Sequence, residues 1–461
     1  MSQNIVNRNR REPAPPIIGS GSCQRTKEPM PTSLPSVSPL SRRARIAVLL
    51  AAFLGLVFDG FELGLMPVAA PSVSKSFYGE AFTNALDGKW FAQYTAALML
   101  GAAIGGIVLG NLGDRIGRAR SMGVSILFYS LFAGVGAFVS TPEQMLILRF
   151  FVGLGIGGMW PNGVALVAEC WPNTSKPTVA GILGSGINVG VLSLSIVGQI
   201  YPITPESWRW IFAISAFPAV LGIIVITLLP ESPLWLASRG QSKQPAPPLR
   251  ELFQGELLHL TIIGILLASV PLVGAWAGSK WMIPWAANVG GVSHPNYKST
   301  TQFYWAIGAT FGGLLGAPFS GFVGKKLSYF LISVGAAAAT WSMFKLTAPF
   351  EPSFLPIVLT QGFLATLFFG WLPLYLPELF PVRVRATGTG VAMNIGRFAT
   401  AAGVLLGGKL FAWFDSDYAS VGAAFATVFA IGILVTFWIP PARKVTAQSE
   451  TSPPLISPPA L

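Results

Sequence analysis

Gly110-Asn-Leu-Gly-Asp-Arg-Ile-Gly-Arg-Ala-Arg120 separates two long apolar segments, and this stretch decides the fold. It carries one acid, Asp114, and three arginines among three glycines. Charges inside a bilayer cost at least about 2.5 kcal/mol each, so this stretch cannot lie in hydrocarbon. The sequence therefore predicts a tight loop at a membrane face that joins two membrane-spanning helices.

The composition of the whole chain is typical of a membrane protein. Of its 461 residues, 52% are apolar and only 10% are charged, against about 25% charged in soluble domains. Apolar runs of about twenty residues recur, each long enough to cross a hydrocarbon core of about 30 Å as a helix. Because the alternating strands of a membrane barrel are absent, we predict an all-α membrane protein with twelve transmembrane helices. The predicted spans are 46–68, 90–111, 121–140, 143–167, 178–201, 209–229, 257–279, 301–323, 329–347, 353–376, 384–408 and 417–439.

Basic residues are distributed unevenly among the predicted loops. If the amino terminus is cytoplasmic, 21 Lys and Arg residues fall on the cytoplasmic side and seven on the other. The seven are Lys75, Lys89, Arg209, Lys280, Lys298, Lys345 and Lys409. Cytoplasmic loops carry such an excess, so we expect both termini in the cytoplasm and a plasma membrane of the bacterial inner-membrane type. The formal charge of +12 thus indicates orientation rather than nucleic-acid binding.

The two halves of the chain repeat each other weakly at a separation of about 210 residues. The matched positions include Trp160-Pro161 with Trp371-Leu-Pro373, Glu169-Cys-Trp-Pro172 with Glu378-Leu-Phe-Pro381, and Gly110 and Gly113 with Gly321 and Gly324. We therefore predict two six-helix bundles, 44–238 and 257–440. A cytoplasmic linker, 239–256, joins them, and two disordered cytoplasmic tails, 1–43 and 441–461, flank them. Repeats of this kind place a substrate site near the membrane midplane, between the two halves.

The spacing Gly-x-x-x-Asp-Arg-x-Gly-Arg in Gly110–Arg118 resembles the signature loop of the major facilitator superfamily. The resemblance implies the fold of that family, two pseudo-symmetric bundles that rock about a central site, with the loop as a conformational latch. The second loop, Gly324-Lys-Lys326, has no acid where the first has Asp114, so only the first is expected to act as the latch. The residues expected to gate the conformational change are Gly110, Asp114, Arg115, Gly117, Arg118, Glu169, Glu378, Arg383 and Arg385.

Further motifs narrow the resemblance. Arg149-x-x-x-Gly153 looks like the fourth-helix signature of the superfamily, and Pro230-Glu-Ser-Pro-Leu-Trp-Leu236 is similar to the end of helix six in sugar porters. Asp59-Gly-Phe-Glu62 with Met159-Trp-Pro-Asn162 resembles the aromatic acid:proton and sialate:proton symporters. Those transporters usually carry Asp where this chain has Glu62. The resemblance implies a carboxylate as the transported solute.

The predicted helices contain few ionisable groups: Asp59, Glu62, Arg149 and Arg397. Asp59 and Glu62 are three residues apart, so they share one face of the first helix. Because two close, desolvated carboxylates bind a proton readily between them, we interpret them as the proton-coupling site, with Arg149 as a possible counter-charge. A salt bridge to Arg149 that only pins two helices together is the alternative.

Candidate substrate contacts are Arg397, Asn162, Asn394, Gln361, Gln93 and Tyr94. Arg397 carries a permanent charge that can bind a carboxylate through two hydrogen bonds, although it could instead pair with a helix carbonyl. The amides and Tyr94 could contact substrate or form hydrogen bonds between helices, and both roles stay open.

These patterns together predict a secondary active transporter, most simply a proton symporter of an aromatic or sialate-like monocarboxylate. A neutral sugar or polyol transporter, a proton-coupled exporter of amphiphiles, and a transporter-like sensor are the alternatives. We expect a small solute, protons and the lipid bilayer as partners, and no nucleic acid. We also expect a monomer that is not an enzyme and that has no metal or organic cofactor. Gly403–Lys409 imitates a phosphate loop, but Leu410 replaces the required Ser or Thr, so we do not expect ATP bound to this chain to supply the energy.

Overall fold

The computed structural model describes residues 40–171, 176–238, 249–381 and 384–440. Within them every regular element is a helix, as the composition predicted. The predicted carboxyl-terminal tail, most of the amino-terminal tail, most of the predicted linker and the gating candidate Arg383 lie outside the described residues. The described part of the linker contains a short 3-10 helix, Leu249–Phe253.

Fifteen α-helices are described, eight in the first half and seven in the second. The first half contains α1 (Arg42–Tyr78), α2 (Asn84–Ile116), α3 (Arg118–Val135), α4 (Pro142–Cys170), α5 (Lys176–Ile200), α6 (Arg209–Ile214), α7 (Ala219–Leu228) and α8 (Pro233–Ser238). The second contains α9 (Gly255–Val273), α10 (Met282–Gly290), α11 (Tyr297–Val323), α12 (Lys325–Lys345), α13 (Phe354–Leu379), α14 (Arg385–Trp413) and α15 (Tyr418–Trp438). The end of the bundle that carries the turn between α2 and α3 is called the loop end here, and the opposite end the far end.

Twelve stretches of the described chain are long and apolar enough to cross a membrane, which confirms the predicted number. The sixth combines α6 and α7, and the seventh runs from Gly255 to Gly290 through α9, a π-helical segment, a 3-10 turn and α10. The predicted seventh span, 257–279, ended too early because Lys280 was read as a loop residue. Lys280 lies well inside the seventh span and is fully buried, so its assignment to an outer loop was wrong. Lys298 is the second residue of α11 and is also buried, at the end of its span.

Helix starts follow from residues that cap them. The hydroxyl oxygens of Thr83 and Thr141 accept hydrogen bonds from backbone N–H groups in the first turns of α2 and α4. Asp417 accepts two such bonds at the start of α15. Each bond satisfies a donor that the helix itself leaves free, so these side chains fix where the chain re-enters the bundle at the far end.

The same helix pairs pack together in both halves. In the first half, α2 packs on α4, α1 on α5, and α3 on α4 and α7. In the second, α11 packs on α13, α9 on α14, and α12 on α13 and α15. Each second-half helix is the one that the 210-residue repeat matches to its first-half counterpart. The two halves therefore share one architecture, and the fold is two pseudo-symmetric six-helix bundles, as predicted.

Glycine permits the closest approach of α2 to α4. A Cβ added at Gly153 would lie 2.1 Å from the Leu98 carbonyl oxygen, and one at Gly157 would lie 2.1 Å from that of Ala102. No side chain fits in such a gap, so this glycine-rich segment brings helix backbones together.

The two halves meet along α2 with α14 and along α5 with α11. At the far end the Lys298 ammonium donates to the Ser72 hydroxyl at 2.7 Å and to the Ile203 carbonyl at 2.8 Å. The Asn296 amide also donates to the Gln199 carbonyl at 2.9 Å. These bonds join the second half to the first, so the bundle is closed at its far end.

Candidate functional site

A buried ion pair joins α1 to α4. The Arg149 guanidinium donates to a carboxylate oxygen of Glu62 at 2.9 Å and to the Glu62 backbone carbonyl at 3.0 Å. The two side chains are 1% and 2% exposed. Arg149 was considered a counter-charge for Asp59, but it pairs with Glu62 instead. Glu62 lies one turn nearer than Asp59 to the far end, where α4 begins, so it is the acid that Arg149 meets.

Asp59 is the acid that stands without an ion pair in this site. It is 2% exposed, and its Oδ1 has no hydrogen-bond partner among the described residues. Its charge interacts with Glu62 on the same helix and with Arg397 on α14. The carboxylate of Asp59 in one half therefore interacts electrostatically with a cation of the other half, beyond the distance of an ion pair.

Arg397 is positioned by the close packing of α14 on α2. Its Nη1 donates to the Ala102 carbonyl at 3.4 Å and to the Asn394 side-chain oxygen at 3.3 Å. A Cβ added at Gly106 would lie 2.8 Å from that same Nη1, so the absence of a side chain at this position of α2 leaves room for the arginine. The sequence left open a carbonyl contact and a substrate contact for Arg397, and the carbonyl contact is present.

Two of the predicted substrate contacts bind other helices. The Asn162 amide nitrogen donates to the Leu109 carbonyl on α2 at 2.9 Å and to the Ser121 hydroxyl on α3 at 3.1 Å, as well as to the Gly158 carbonyl of its own helix at 2.8 Å. Gln361 is fully buried. It donates to Thr340 at 3.1 Å and accepts from Trp305 at 2.9 Å, and it also donates to Ser279. Both amides thus have the interhelical role that was the alternative reading.

The other polar candidates for substrate contact, Tyr94, Gln93 and Asn394, make fewer hydrogen bonds to other helices. Tyr94 is fully buried, and its hydroxyl has no hydrogen-bond partner among the described residues. The side-chain oxygen of its neighbour Gln93 is likewise buried without one. Asn394 bonds to its own helix at Gly390 and to Arg397. These three remain predicted substrate contacts.

The turn between α2 and α3 is a network of charges at the loop end. Arg118 pairs with Asp114 at 2.6 Å and approaches Glu169 at 3.7 Å. Gly117 has a φ of 111°, which favours glycine, and a Cβ there would lie 2.1 Å from a carboxylate oxygen of Glu231. Only glycine therefore fits this turn.

Glu231 is a residue of this network that the sequence analysis did not single out. Its carboxylate accepts from the backbone N–H of Ala119 at 3.0 and 3.2 Å and from that of Arg120 at 3.4 Å, at the start of α3. Its neighbour Ser232 donates to Glu169, and Trp235 donates to the Asp114 carbonyl at 3.1 Å. The motif Pro230–Leu236 had signalled this region by resemblance, without showing that it contacts the signature loop.

The second half repeats part of this network. Lys325 pairs with Glu378 at the corresponding loop, just as Arg118 approaches Glu169 in the first half. Two other predicted gating residues lie at the same end: Arg115 is exposed, and Arg385 donates to the Phe380 carbonyl at 3.4 Å. A Cβ added at Gly110 would lie 3.6 Å from the Cγ of Pro161, so this position is not tightly packed.

Asp87, Lys280 and Lys298 are three further buried ionisable groups that the sequence analysis missed as site residues. They are 2%, 0% and 5% exposed. Asp87 accepts from the Tyr418 hydroxyl at 3.4 Å, across the two halves, and interacts electrostatically with Lys298. For Lys280 the sequence did contain a signal: the apolar run Trp281–Pro284, which continues the span beyond the lysine.

Known transporters resemble this chain over most of its length. The chain is 27% identical over 405 residues to the probable 4-methylmuconolactone transporter of Cupriavidus pinatubonensis, which covers 87% of this chain and 91% of that protein. It is 26% identical over 404 residues to the 3-(3-hydroxy-phenyl)propionate transporter of Escherichia coli, covering 86% and 95%. It is also 27% identical over 363 residues to the cis,cis-muconate transport protein of Acinetobacter baylyi, covering 76% and 84%.

The fold agrees with these relationships. The partially occluded, inward-open structure of the xylose transporter XylE from E. coli superimposes with a TM-score of 0.68 at 18% identity, covering 87% of this chain and 99% of that one. The sequence profile of the Major Facilitator Superfamily matches residues 49–393. The match spans the loop, the ion pair and the buried acid described above, and on this basis the chain is a multi-pass transporter of the Major Facilitator Superfamily.

Proposed function

We propose that this transporter is a proton symporter of a small organic anion, an aromatic or related carboxylate. The single observation that carries the proposal is Asp59, a buried carboxylate that has no ion pair among the described residues and that interacts electrostatically with Arg397 of the other half. A carboxylate in this position can be neutral while it carries a proton and charged after it releases one. Its attraction to Arg397 then depends on protonation, which links the proton to the packing of the bundles.

The substrate class follows from the cations at the interface and from the relatives. Arg397 uses one nitrogen on Ala102 and Asn394, and a guanidinium has five N–H donors in all. The remaining donors suit a carboxylate, which guanidinium groups bind through two parallel bonds. Two of the relatives described above are named as transporters of muconate and of a phenylpropionate, both carboxylates. Gln93, Tyr94 and Asn394 complete the proposed substrate contacts.

The proposed topology places the loop end and both termini in the cytoplasm. The arginines of the turn between α2 and α3 lie at that end, as an excess of cytoplasmic cations requires. The excess of cytoplasmic cations is larger once Lys280, which is buried within a span, is no longer counted among the outer loops. With this orientation the far end faces outward, so the described conformation is closed to the outside. Opening that end and closing the other constitutes the transport cycle.

The remaining assignments belong to the same proposal. The two bundles are 44–238 and 257–440, and a single copy of the chain suffices because the proposed site lies between its own halves. Asp114, Arg118, Glu169 and Glu231 form the conformational latch at the loop end, and Glu378 with Lys325 forms its weaker counterpart.

The test is uptake by proteoliposomes that contain the purified protein. Radiolabelled benzoate, 3-phenylpropionate and cis,cis-muconate are supplied outside at a lower pH than the lumen, and the same solutes are supplied without a gradient as the control. We expect accumulation of at least one carboxylate that a protonophore abolishes. Unlabelled carboxylates should compete for uptake, whereas xylose and other sugars should not.

The competing functions give different results in the same vesicles. If sugars but not carboxylates competed for uptake, the protein would be a neutral-sugar transporter and the proposal would be wrong. Accumulation that survives the protonophore would contradict proton coupling. Absence of uptake of every solute by correctly inserted protein would favour the sensor.

A further inference from the structure

We infer that Lys280 is a substrate-binding residue, the cation that receives the carboxylate group of the transported anion, in a site formed with Gln302, Trp305 and Trp276. This inference rests on the proposed function and names the part of the second bundle that would bind its substrate. The four residues are called the lysine site below.

Lys280 is a buried charge without an anionic partner. The side chain is fully buried, and its ammonium nitrogen has no hydrogen-bond partner among the described residues. Within the described part of the chain its close electrostatic contacts are two indole rings: the nitrogen lies 3.2 Å from the ring centroid of Trp305 and 5.4 Å from that of Trp276. Cation–π contacts compensate only part of the cost of burying a charge. A lysine in this environment is retained at the expense of stability.

The backbone around Lys280 is irregular, as substrate sites in transporters often are. Residues 274–278 form a π-helical segment and Ser279–Trp281 a 3-10 turn, between the regular helices α9 and α10. The Ser279 hydroxyl accepts from the Gln361 amide, which anchors the turn to α13. Interrupted helices near the middle of a span commonly bind substrates, and π-segments cluster at functional sites.

Gln302 adds a second unpartnered polar group. It is fully buried, and neither atom of its side-chain amide has a hydrogen-bond partner among the described residues. It lies three residues before Trp305 on α11, hence on the same helix face as the indole that covers Lys280. A buried amide with no partner is costly, and an amide N–H on the helix face that covers the ammonium can supply a second donor to the same carboxylate.

The lysine site contacts α1, the helix that carries Asp59. A Cβ added at Gly64 on α1 would lie 3.2 Å from the Gln302 side-chain nitrogen. Gly64 is five residues beyond Asp59 and lies on a different face of that helix. An anion held between Lys280 and Gln302 would therefore rest in the second bundle against the helix of the first bundle that carries the proposed proton. The flat indoles of Trp305 and Trp276 offer an apolar surface for an aromatic ring.

The decisive variants are Lys280→Met and Lys280→Arg in the full-length protein. Methionine keeps an unbranched, apolar chain and removes the charge, while arginine keeps the charge. Lys298→Met is the matched control, because it removes another buried lysine, one whose ammonium is already bonded to Ser72 and Ile203. Binding of benzoate, 3-phenylpropionate and cis,cis-muconate is measured by calorimetry on purified protein in detergent, with benzamide as the uncharged probe, and the melting temperature is measured without ligand.

We expect Lys280→Met to weaken carboxylate binding at least about 30-fold, because a charge pair in a buried site is lost. Its ligand-free melting temperature should equal or exceed that of the wild type. Benzamide affinity, where measurable, should change less than about threefold. Lys280→Arg should keep carboxylate affinity within about tenfold, and Lys298→Met should keep it within about threefold, since its lysine lies outside the site.

Each result decides the matter. Carboxylate binding by Lys280→Met within threefold of the wild type overturns the inference while the proposed function stands. A lower melting temperature or failure of Lys280→Met to fold, together with normal folding of Lys280→Arg and weak binding by it, assigns Lys280 a structural role and also overturns it. No binding of any carboxylate by the wild-type protein removes the proposed function and this inference with it.

Discussion

Glu62 on α1 and Arg149 on α4 form an ion pair at 2.9 Å, and neither side chain is more than 2% exposed. The pair occupies the face of α1 that also carries Asp59, so two acids one turn apart have different partners. Glu62 is neutralised within its own bundle, whereas the charge of Asp59 interacts with Arg397 of the other bundle. Glu62 therefore has a structural role, whereas the electrostatic energy of Asp59 depends on the distance between the bundles.

Replacing either member of the Glu62–Arg149 pair should destabilise the protein strongly. Removing one partner leaves the other charge buried without compensation, which typically costs about 3–5 kcal/mol. Glu62→Met and Arg149→Met should each lower the melting temperature in detergent, and the double variant should recover much of the loss. The thermal unfolding of the four proteins forms a double-mutant cycle. Additive losses in the double variant would mean that the two residues do not act as a pair.

Asp59→Asn should abolish proton-driven accumulation. Asparagine keeps the size and hydrogen-bonding capacity of the side chain but cannot release a proton. We expect no accumulation above equilibrium in vesicles with an imposed pH gradient, while exchange of labelled for unlabelled carboxylate at equal pH partly survives. The control is Asp87→Asn, which alters a buried acid at the far end, outside the proposed proton site. Full gradient-driven accumulation by Asp59→Asn would leave Glu62 as the next candidate.

The fold could be predicted from the sequence because membrane helices must be long, apolar and internally bonded. The apolar runs predicted the number of spans and the repeat predicted two six-helix bundles, and the burial of Asp59, Glu62 and Arg149 followed from their position within apolar runs. The partners of these charges could not be predicted. Whether Arg149 meets Asp59 or Glu62 depends on the relative heights of α1 and α4, which no spacing within either helix encodes.

The buried lysines were missed for a related reason. A window of twenty residues ends a span at the first charge, so Lys280 was placed in an outer loop. A lysine can nevertheless lie inside a span where aromatic rings cover it, and that depends on Trp305 and Trp276 approaching from α11 and from the same irregular segment. Likewise, the capping of α3 by Glu231 joins residues more than 100 positions apart in the chain.

Glu231→Gln should weaken the loop end. The carboxylate accepts backbone bonds at the start of α3, where the helix dipole favours a negative charge. We expect the free energy of unfolding to fall by about 1 kcal/mol and transport to slow. Glu143→Gln is the control, since Glu143 is an exposed acid in the first turn of α4. This change should lower the free energy of unfolding by less than about 0.5 kcal/mol. Equal effects of the two changes would remove Glu231 from the latch.

The orientation of the chain can be tested by cysteine labelling. In a variant with Cys23 and Cys170 replaced, a single cysteine at position 293 should react with a membrane-impermeant thiol reagent in intact cells. One at position 36 should react only after the cells are opened. The expectation rests on the excess of cations at the loop end. Labelling of position 36 but not 293 in intact cells would invert the topology and the assignment of the closed end.

A disulfide across the far end should trap the described conformation. A Cβ added at Gly198 on α5 would lie 3.4 Å from the Ser299 Cβ on α11, close to the separation of about 3.5–4.5 Å in natural disulfides. The variant Gly198→Cys with Ser299→Cys should therefore crosslink under mild oxidation and hold the two bundles together at that end. Since transport requires this end to open, uptake should stop on oxidation and return on reduction. The single variants, treated with the same oxidant, should keep transporting. Undiminished uptake by fully crosslinked protein would mean that the far end need not open, and alternating access through this interface would be wrong.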